Sequence, residues 1–415
     1  MIGKECQTNA LHNSFGFAPL AMPWIETNEH WKGLRKALQG CFSKSMLEIY
    51  ASHFKTCSEQ FVKELAEKDG LTVNLREEIQ RYTWATISHA MFGATVNAQV
   101  PYVHGEERKD TEFYCAKGSA VCDYARVYVR PEAFSKPEYR HSASDPEAKQ
   151  MNENLNTVCE TIKAVAVARI KELDEGSPAK KTITDAAIGL LKDGTVASAE
   201  ELVHHAYALL LGGNENVGCV LTTIIYHLIK NPEIADKMRE EIVETFMEGE
   251  AGKTELLNEN LTNEDVNDLE YSNMVVREAL RMNAPTFGKS LVPEEDIKLG
   301  ELTIKAGTHV WLHNHVHSFS ADVWPQPTEF KPERFDNKNE LFKTARGEKR
   351  NPSAWLPFSN GPRFCLGNNY VQIHLKIAMA YLLTHFDFEG VDMPADPFFY
   401  FLNKEDFKVK VKKRN

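Results

Sequence analysis

Toward its C-terminal end the sequence reads Pro357-Phe358-Ser359-Asn360-Gly361-Pro362-Arg363-Phe364-Cys365-Leu366-Gly367, a cysteine set between glycines and behind an arginine. Gly361 and Gly367 permit backbone angles that other residues avoid, and Pro362 stiffens the turn between them. Such a turn can aim backbone N–H groups at the sulfur. An apolar helix pattern running on toward His385 adds a helix N-terminus, which favours negative charge there. Both effects favour the thiolate, a ligand for soft or borderline metals. One cysteine cannot complete a zinc or iron–sulfur centre, which needs several ligands. It can be the single axial ligand of a haem iron, with Arg363 two residues upstream available to a propionate. A lone cysteine in a Gly/Pro turn is also commonly a packed structural thiol, and the residue by itself leaves both readings open.

Three other groups carry residue types that do chemistry. Gly212-Gly213-Asn214-Glu215-Asn216 sits in the middle of the longest apolar-periodic stretch. Two glycines there cost a helix about 1 kcal/mol each relative to alanine. Close helix packing would account for them, and so would room for a flat ligand against the helix. Glu278 and Arg281 are three apart on one helical face, the spacing of a surface ion pair. A second arginine, Arg334, follows in the proline-fixed turn Phe330-Lys331-Pro332-Glu333-Arg334-Phe335. Trp31 and Arg35 also share a face, which reads equally as a packed ring with a snorkelling base.

The elements that must position these residues are mostly helices. Residues 1–30 are loop-like, and a helix begins near Asn28. Helices are expected from about Ser45 to Lys68, Leu75 to Phe92, Asp145 to Glu175 and Pro232 to Phe246, and around Glu278–Arg281. Ser198-Ala199-Glu200-Glu201 is a capping box opening a helix that runs to about Lys230, where Asn231-Pro232 stops it. Residues 94–146 have little periodicity and many charges and tyrosines. Asp296 to Val316 alternates as short strands around Gly300 and Gly307. The last forty residues read as strand and loop with a basic tail.

Composition bounds the function. The formal charge of −11 argues against a nucleic-acid partner. The cysteines Cys6, Cys41, Cys57, Cys115, Cys122, Cys159, Cys219 and Cys365 show no paired spacing, which reads as reduced thiols rather than a disulfide framework. No apolar run approaches the ~20 residues of a membrane span, and Met1 to His30 shows no signal-peptide pattern, so no anchor is expected.

Phe358, Gly361, Arg363, Cys365 and Gly367 form Phe-x-x-Gly-x-Arg-x-Cys-x-Gly, which resembles the cysteine-ligand loop of the cytochrome P-450 haem-thiolate monooxygenases. The other groups fall in the order of that family's motifs. Trp31 and Arg35 match its Trp-x-x-x-Arg helix beside a haem propionate. Gly212, Gly213 and Glu215 match its distal helix, with Asn216 in place of the usual threonine. Glu278, Arg281 and Arg334 match its buried three-member network. Lys289 stands where many members carry a propionate-binding arginine and keeps the charge without the bidentate fork. His374 stands where glutamate is frequent.

The resemblance covers about residue 28 to the end. It implies a mainly α fold with a small β-sheet portion, the cytochrome P-450 fold, in one haem-thiolate domain over residues 1–415. The Trp-x-x-x-Arg helix starts about residue 28 rather than about a hundred residues in. The family's N-terminal anchor, hinge and first strands are therefore expected to be missing, either because the sequence is an incomplete copy or because this is a short member whose small sheet is reduced. Residues 94–146 correspond to the family's variable lid over the substrate. The implied activity is insertion of one oxygen atom from dioxygen into an apolar small-molecule substrate. The cofactor is haem (iron protoporphyrin IX) with Cys365 as axial ligand. The Arg363 and Phe-x-Pro-x-Arg-Phe forms resemble the eukaryotic microsomal branch, which implies a flavin reductase as electron donor and the endoplasmic reticulum membrane surface as location. Without an anchor the location is otherwise cytoplasmic. Asn216 is a far poorer proton donor than a water held by a hydroxyl. A second implied reading is therefore a haem-thiolate protein without monooxygenase turnover, either a hydroperoxide rearrangement enzyme or an inactive truncated copy.

Overall fold

Amphipathic spacing builds most of this chain into helices, and the computed structural model describes residues 20–23, 25, 27–93, 146–248, 252–262, 264–286, 288–308, 310–395 and 406–414. In chain order the helices are α1 (Glu29–Gln39), α2 (Lys44–Ala66), α3 (Leu75–Phe92), α4 (Pro146–Asp174), α5 (Ile183–Lys192), α6 (Ala199–Leu211), α7 (Val217–Lys230), α8 (Pro232–Phe246), α9 (Lys253–Asn260), α10 (Glu270–Met282), α11 (Asn314–Ser318) and α12 (Asn368–His385). The strands are β1 (Thr72–Asn74), β2 (Gly288–Leu291), β3 (Ile297–Leu299), β4 (Leu302–Ile304), β5 (Val310–His313), β6 (Phe386–Asp392) and β7 (Lys408–Lys413). This is the mainly α architecture with small sheets that the sequence leads one to expect. All of the expected lid segment before Pro146 lies outside the described residues.

The chain divides into two compact units. The first comprises Met1–Cys41, Ile87–Gly212 and Gly288–His313. Asn28 caps α1 by accepting the backbone N–H of Trp31 at 2.9 Å. Leu34 of that helix packs with Ala166, Ala187, Ile188, Val196 and Leu202. Ser198 caps α6 by accepting from Glu201 N at 3.1 Å. The Glu201 carboxylate reaches past the cap residue to Ala197 N at 2.7 Å, one position beyond the reciprocal bond a capping box would make. Strands β2 and β5 pair antiparallel, with Lys289 opposite Leu312. Strands β3 and β4 form a hairpin whose turn needs Gly300 at φ 62°.

The second unit comprises Phe42–Thr86, Gly213–Phe287 and Asn314–Asn415. Helix α12 is buried along most of its length and packs on α2. A three-stranded sheet runs β1-β7-β6, all antiparallel. The basic tail is thus not a free tail. Val409 and Val411 of β7 are fully buried while Lys408, Lys410 and Lys412 alternate with them on the more exposed face, a period-2 pattern.

The expectation that no segment suits a membrane span needs one correction. The helical run Ala199–Lys230 is long and apolar enough to cross a membrane, but 72% of its apolar window is buried in the protein. Its hydrophobicity serves the core.

His374 of α12 is fully buried. It stacks on Phe54 with ring centroids 4.3 Å apart, beside Tyr82 at 5.2 Å and Tyr370 at 5.9 Å. Neither ring nitrogen has a hydrogen-bond partner among the described residues. Desolvation lowers its pKa from 6.5 to about 3. Between those values the unfolded chain binds the proton and the folded chain does not, so stability falls as pH drops from 6.5 toward 3. At pH 5 the expected loss is about 2 kcal/mol. Urea midpoints across this range should show the decline, and His374→Leu should remove that part of it. Parallel pH profiles for the two proteins would contradict the assignment.

Candidate functional site

The cysteine loop is shaped by two residues in the left-handed region, Ser359 at φ 64° and Gly361 at φ 69°. Gly361 is where the sequence calls for glycine. Gly367 is not strained: it has φ −83° and ψ 8°, and among the described residues an added Cβ would meet Cys365 Sγ alone, at 3.9 Å. Ser359 is the second special position, and nothing in its residue type announces it. Gly361–Arg363 form a single 3₁₀ turn. Phe364 N donates to Gly361 O at 3.0 Å, and Cys365 N donates to Phe358 O at 3.0 Å, which closes the loop. Helix α12 starts three residues after the cysteine.

Cys365 is the exposed thiol among the described cysteines. Burial pushes Cys41 and Cys159 up to about 11 and Cys57 and Cys219 up to about 12, so those four remain neutral thiols near neutrality. The described residues contain no group of three or more His, Cys, Asp or Glu that could hold a metal ion. A metal at Cys365 must therefore bring its other ligands with it. A porphyrin does so, and the donor set fits haem better than any bare ion.

Behind the loop, Glu278, Arg281 and Arg334 are buried to within 1% of full exclusion from solvent. Arg281 grips Glu278 with Nε on Oε2 and Nη2 on Oε1, both at 2.8 Å. Arg334 Nε reaches Oε1 at 3.0 Å, and Lys331 N reaches it at 2.9 Å. The remaining guanidinium donors go to backbone carbonyls: Ser318 from Arg281, and Pro325 and Gln326 from Arg334. Burial lowers the Arg334 pKa, and Glu278 opposes that shift.

The spacing of charges does not reveal how this network meets the loop. Arg277 lies over Phe335 at 4.3 Å and over Trp355 at 4.9 Å. Trp355 Nε1 donates to Arg277 O at 3.1 Å. Trp355 meets the edge of Phe358, whose carbonyl accepts the Cys365 amide. Arg350 lies over Trp324 at 3.9 Å and donates to Arg334 O at 3.3 Å, and burial lowers its pKa to about 10. Arg277, Arg350 and Trp355 were not signalled by any periodicity or motif.

The two central glycines open a π-helical turn, Gly212–Asn216, between α6 and α7. Such turns recur at functional sites. A Cβ at Gly212 would meet no atom of the described residues within 4 Å, so close packing among them does not explain that glycine. Close packing operates instead at Gly218, where a Cβ would lie 3.3 Å from Thr83 Oγ1. Glu215 is buried and accepts from Gln80 Nε2, while Asn216 is half-buried.

In the first unit, Trp31 is buried and Arg35 half-buried on α1. The indole N–H of Trp31 donates to Met22 O at 3.1 Å. Lys289 lies in β2. Within the second unit the structure brings the Cys365 loop and the Glu278/Arg281/Arg334 network together through the Arg277–Trp355 contact.

The family model for Cytochrome P450 matches residues 22–411. The chain is 25% identical over 384 residues to "Probable cytochrome P450 4aa1" of Drosophila melanogaster, covering 91% of this chain and 69% of the relative. It is 26% identical over 403 residues to "Cytochrome P450 3A28" of Bos taurus, covering 93% and 73%. It is 27% identical over 374 residues to "Secologanin synthase 2" of Catharanthus roseus, covering 86% of this chain and 65% of the relative.

Proposed function

Because this chain belongs to the cytochrome P450 family, and is therefore a haem-dependent monooxygenase-type oxidoreductase acting on small molecules, we propose that Cys365 is its axial thiolate, that its substrate is apolar, and that a flavin reductase supplies the electrons. The observation that carries the assignment is the exposed Cys365 thiol on a loop closed by its own backbone bond to Phe358. When bound, the haem supplies reduction and cleavage of dioxygen, and thiolate donation favours the O–O step. Residues 1–415 act as one haem-thiolate domain at the endoplasmic reticulum membrane surface.

In this reading Phe358 and Gly361 shape the loop that presents the sulfur, and Gly367 leaves the space beside the sulfur without a side chain. Arg363, Arg35 and Lys289 offer positive charge to the propionates. Trp31, whose indole N–H donates to Met22 O, would be a further propionate donor. Gly212 and Gly213 leave a side-chain-free surface for the flat macrocycle. Glu278, Arg281 and Arg334 hold the loop and take no part in chemistry.

Glu215 and Asn216 manage protons and water. Asn216 orients a water through its amide but passes a proton less well than a water held by a hydroxyl would. In a reconstituted system, Asn216→Thr should raise the fraction of reducing equivalents recovered as oxygenated product and lower the fraction recovered as peroxide. Tight coupling in the unmutated protein, with no gain in the threonine variant, would make the asparagine an adaptation instead. The same residue favours a second reading, rearrangement of an organic hydroperoxide, which needs no such proton delivery. A protein inert toward dioxygen but active with cumene hydroperoxide would select it.

A further inference from the structure

Two adjacent histidines of α6 accept main-chain N–H groups from the turn that precedes α1. Met22 N donates to His205 Nδ1 at 3.0 Å, and Leu20 N donates to His204 Nδ1 at 3.4 Å. Ala21, Met22 and His205 are all buried. The Met22 carbonyl in turn accepts the Trp31 indole N–H at 3.1 Å. One residue thus links α6 to α1 inside the first unit. These contacts also fix the His205 tautomer. Its Nδ1 receives a donor and so carries no proton, while its Nε2 carries one and donates it to Glu201 Oε1 at 3.3 Å.

We propose that His205 is a pH-sensitive latch, which in its neutral form fastens Met22 to α6 and on protonation lets it go. An imidazolium donates at both nitrogens and accepts at neither. A proton arriving at Nδ1 therefore breaks the bond from Met22 and leaves two N–H groups facing each other. His204, half-buried, repeats the arrangement at Leu20, so acid acts on both fastenings in the same direction. The latch stands on these contacts and not on the haem assignment. What it adds to that assignment is control over the Met22 carbonyl that meets Trp31.

Among the described residues, the titratable groups that act on His205 most strongly are Glu201 and His204 of α6 and His30 of α1. Glu201 Oε1 also takes His30 Nε2 at 2.6 Å, and its Oε2 takes Ala197 N at 2.7 Å. Glu200 acts on His204. Helices α4 and α5 pack on α6 as well, and there Arg169 and Asp185 engage each other through two bonds of 2.8 Å. Burial lowers the His205 pKa below its ordinary 6.5, Glu201 opposes that shift, and His30 and His204 add to it. Released into solvent, the ring regains its ordinary proton affinity. The open form therefore binds the proton more readily, so the latch holds above about pH 6.5 and weakens as pH falls below it.

The test is hydrogen exchange at the Met22 amide of the full chain, read by mass spectrometry with single-residue fragmentation and corrected for the intrinsic effect of pH. Amides of α12 in the same sample report global opening. Protection at Met22 should fall about tenfold between pH 7.5 and pH 5, and that of α12 by less. His205→Asn, whose Oδ1 takes the place of Nδ1 without titrating, should flatten the Met22 profile. His205→Leu should leave Met22 poorly protected already at pH 7.5. Either variant is informative if the other fails to fold. His30→Gln should keep the profile of the unmutated protein. The proposal is overturned by an unaltered Met22 profile in either folded His205 variant, by its disappearance in His30→Gln, or by parallel loss of protection at Met22 and along α12.

Discussion

Arg281→Ala should give protein that neither holds haem nor reaches native stability, with a loss of about 3–5 kcal/mol. The substitution removes both bonds of the bidentate grip on Glu278 and leaves the Ser318 carbonyl without its guanidinium donor. Glu278 then stays fully buried with Arg334 as its remaining charged partner. Against a typical total stability of about 5–15 kcal/mol, that is a large fraction. Glu278→Ala should cost at least as much, because it strands two buried guanidinium groups. The double variant should cost less than the sum of the two, since both act on one network. Urea unfolding followed by circular dichroism, together with haem content per chain, reads all three. A folded, haem-loaded Arg281→Ala protein deficient only in turnover would show that the arginine acts in chemistry and not in support.

Cys365→Ala should abolish oxygenated product while leaving the polypeptide folded. Its thiol is exposed, so removing it sacrifices little packing, and stability should stay within about 0.5 kcal/mol. Cys41→Ala and Cys159→Ala should retain turnover, because those thiols are held neutral by burial with pKa values of about 11. Product formation with a reductase and apolar substrates, run on all three variants, separates the positions. Activity that survives in Cys365→Ala but is lost in either of the others would move the ligand elsewhere.

Some of this was legible in the sequence for a physical reason. The cysteine loop is local: five positions within ten residues specify a turn, a charge and a ligand, so type and spacing suffice. The helices follow from periodicity, and Leu75–Phe92 and Pro232–Phe246 begin and end where the pattern does. The Glu278–Arg281 spacing was visible, but its burial was not, because Arg334 arrives from 53 residues beyond Arg281 and makes the pair part of a core. Strand β1 is three residues long and gains its identity only from pairing with β7 at the far end of the chain. The seating of α3 against Gly218 is a tertiary contact, which no local pattern encodes. Gly367 misled in the opposite direction, since its backbone is one that any residue adopts. Ser359 carries the strain that the motif's glycines led one to look for elsewhere.

The central claim is that the Cys365 thiolate binds haem iron. Its most direct test is the absorption spectrum of the unmutated, haem-loaded protein after reduction and addition of carbon monoxide. The account predicts the strongly red-shifted Soret band of a thiolate-ligated haem, and its loss in Cys365→Ala. A histidine-type Soret band in the folded, unmutated protein, or a red-shifted band that persists without Cys365, would contradict it.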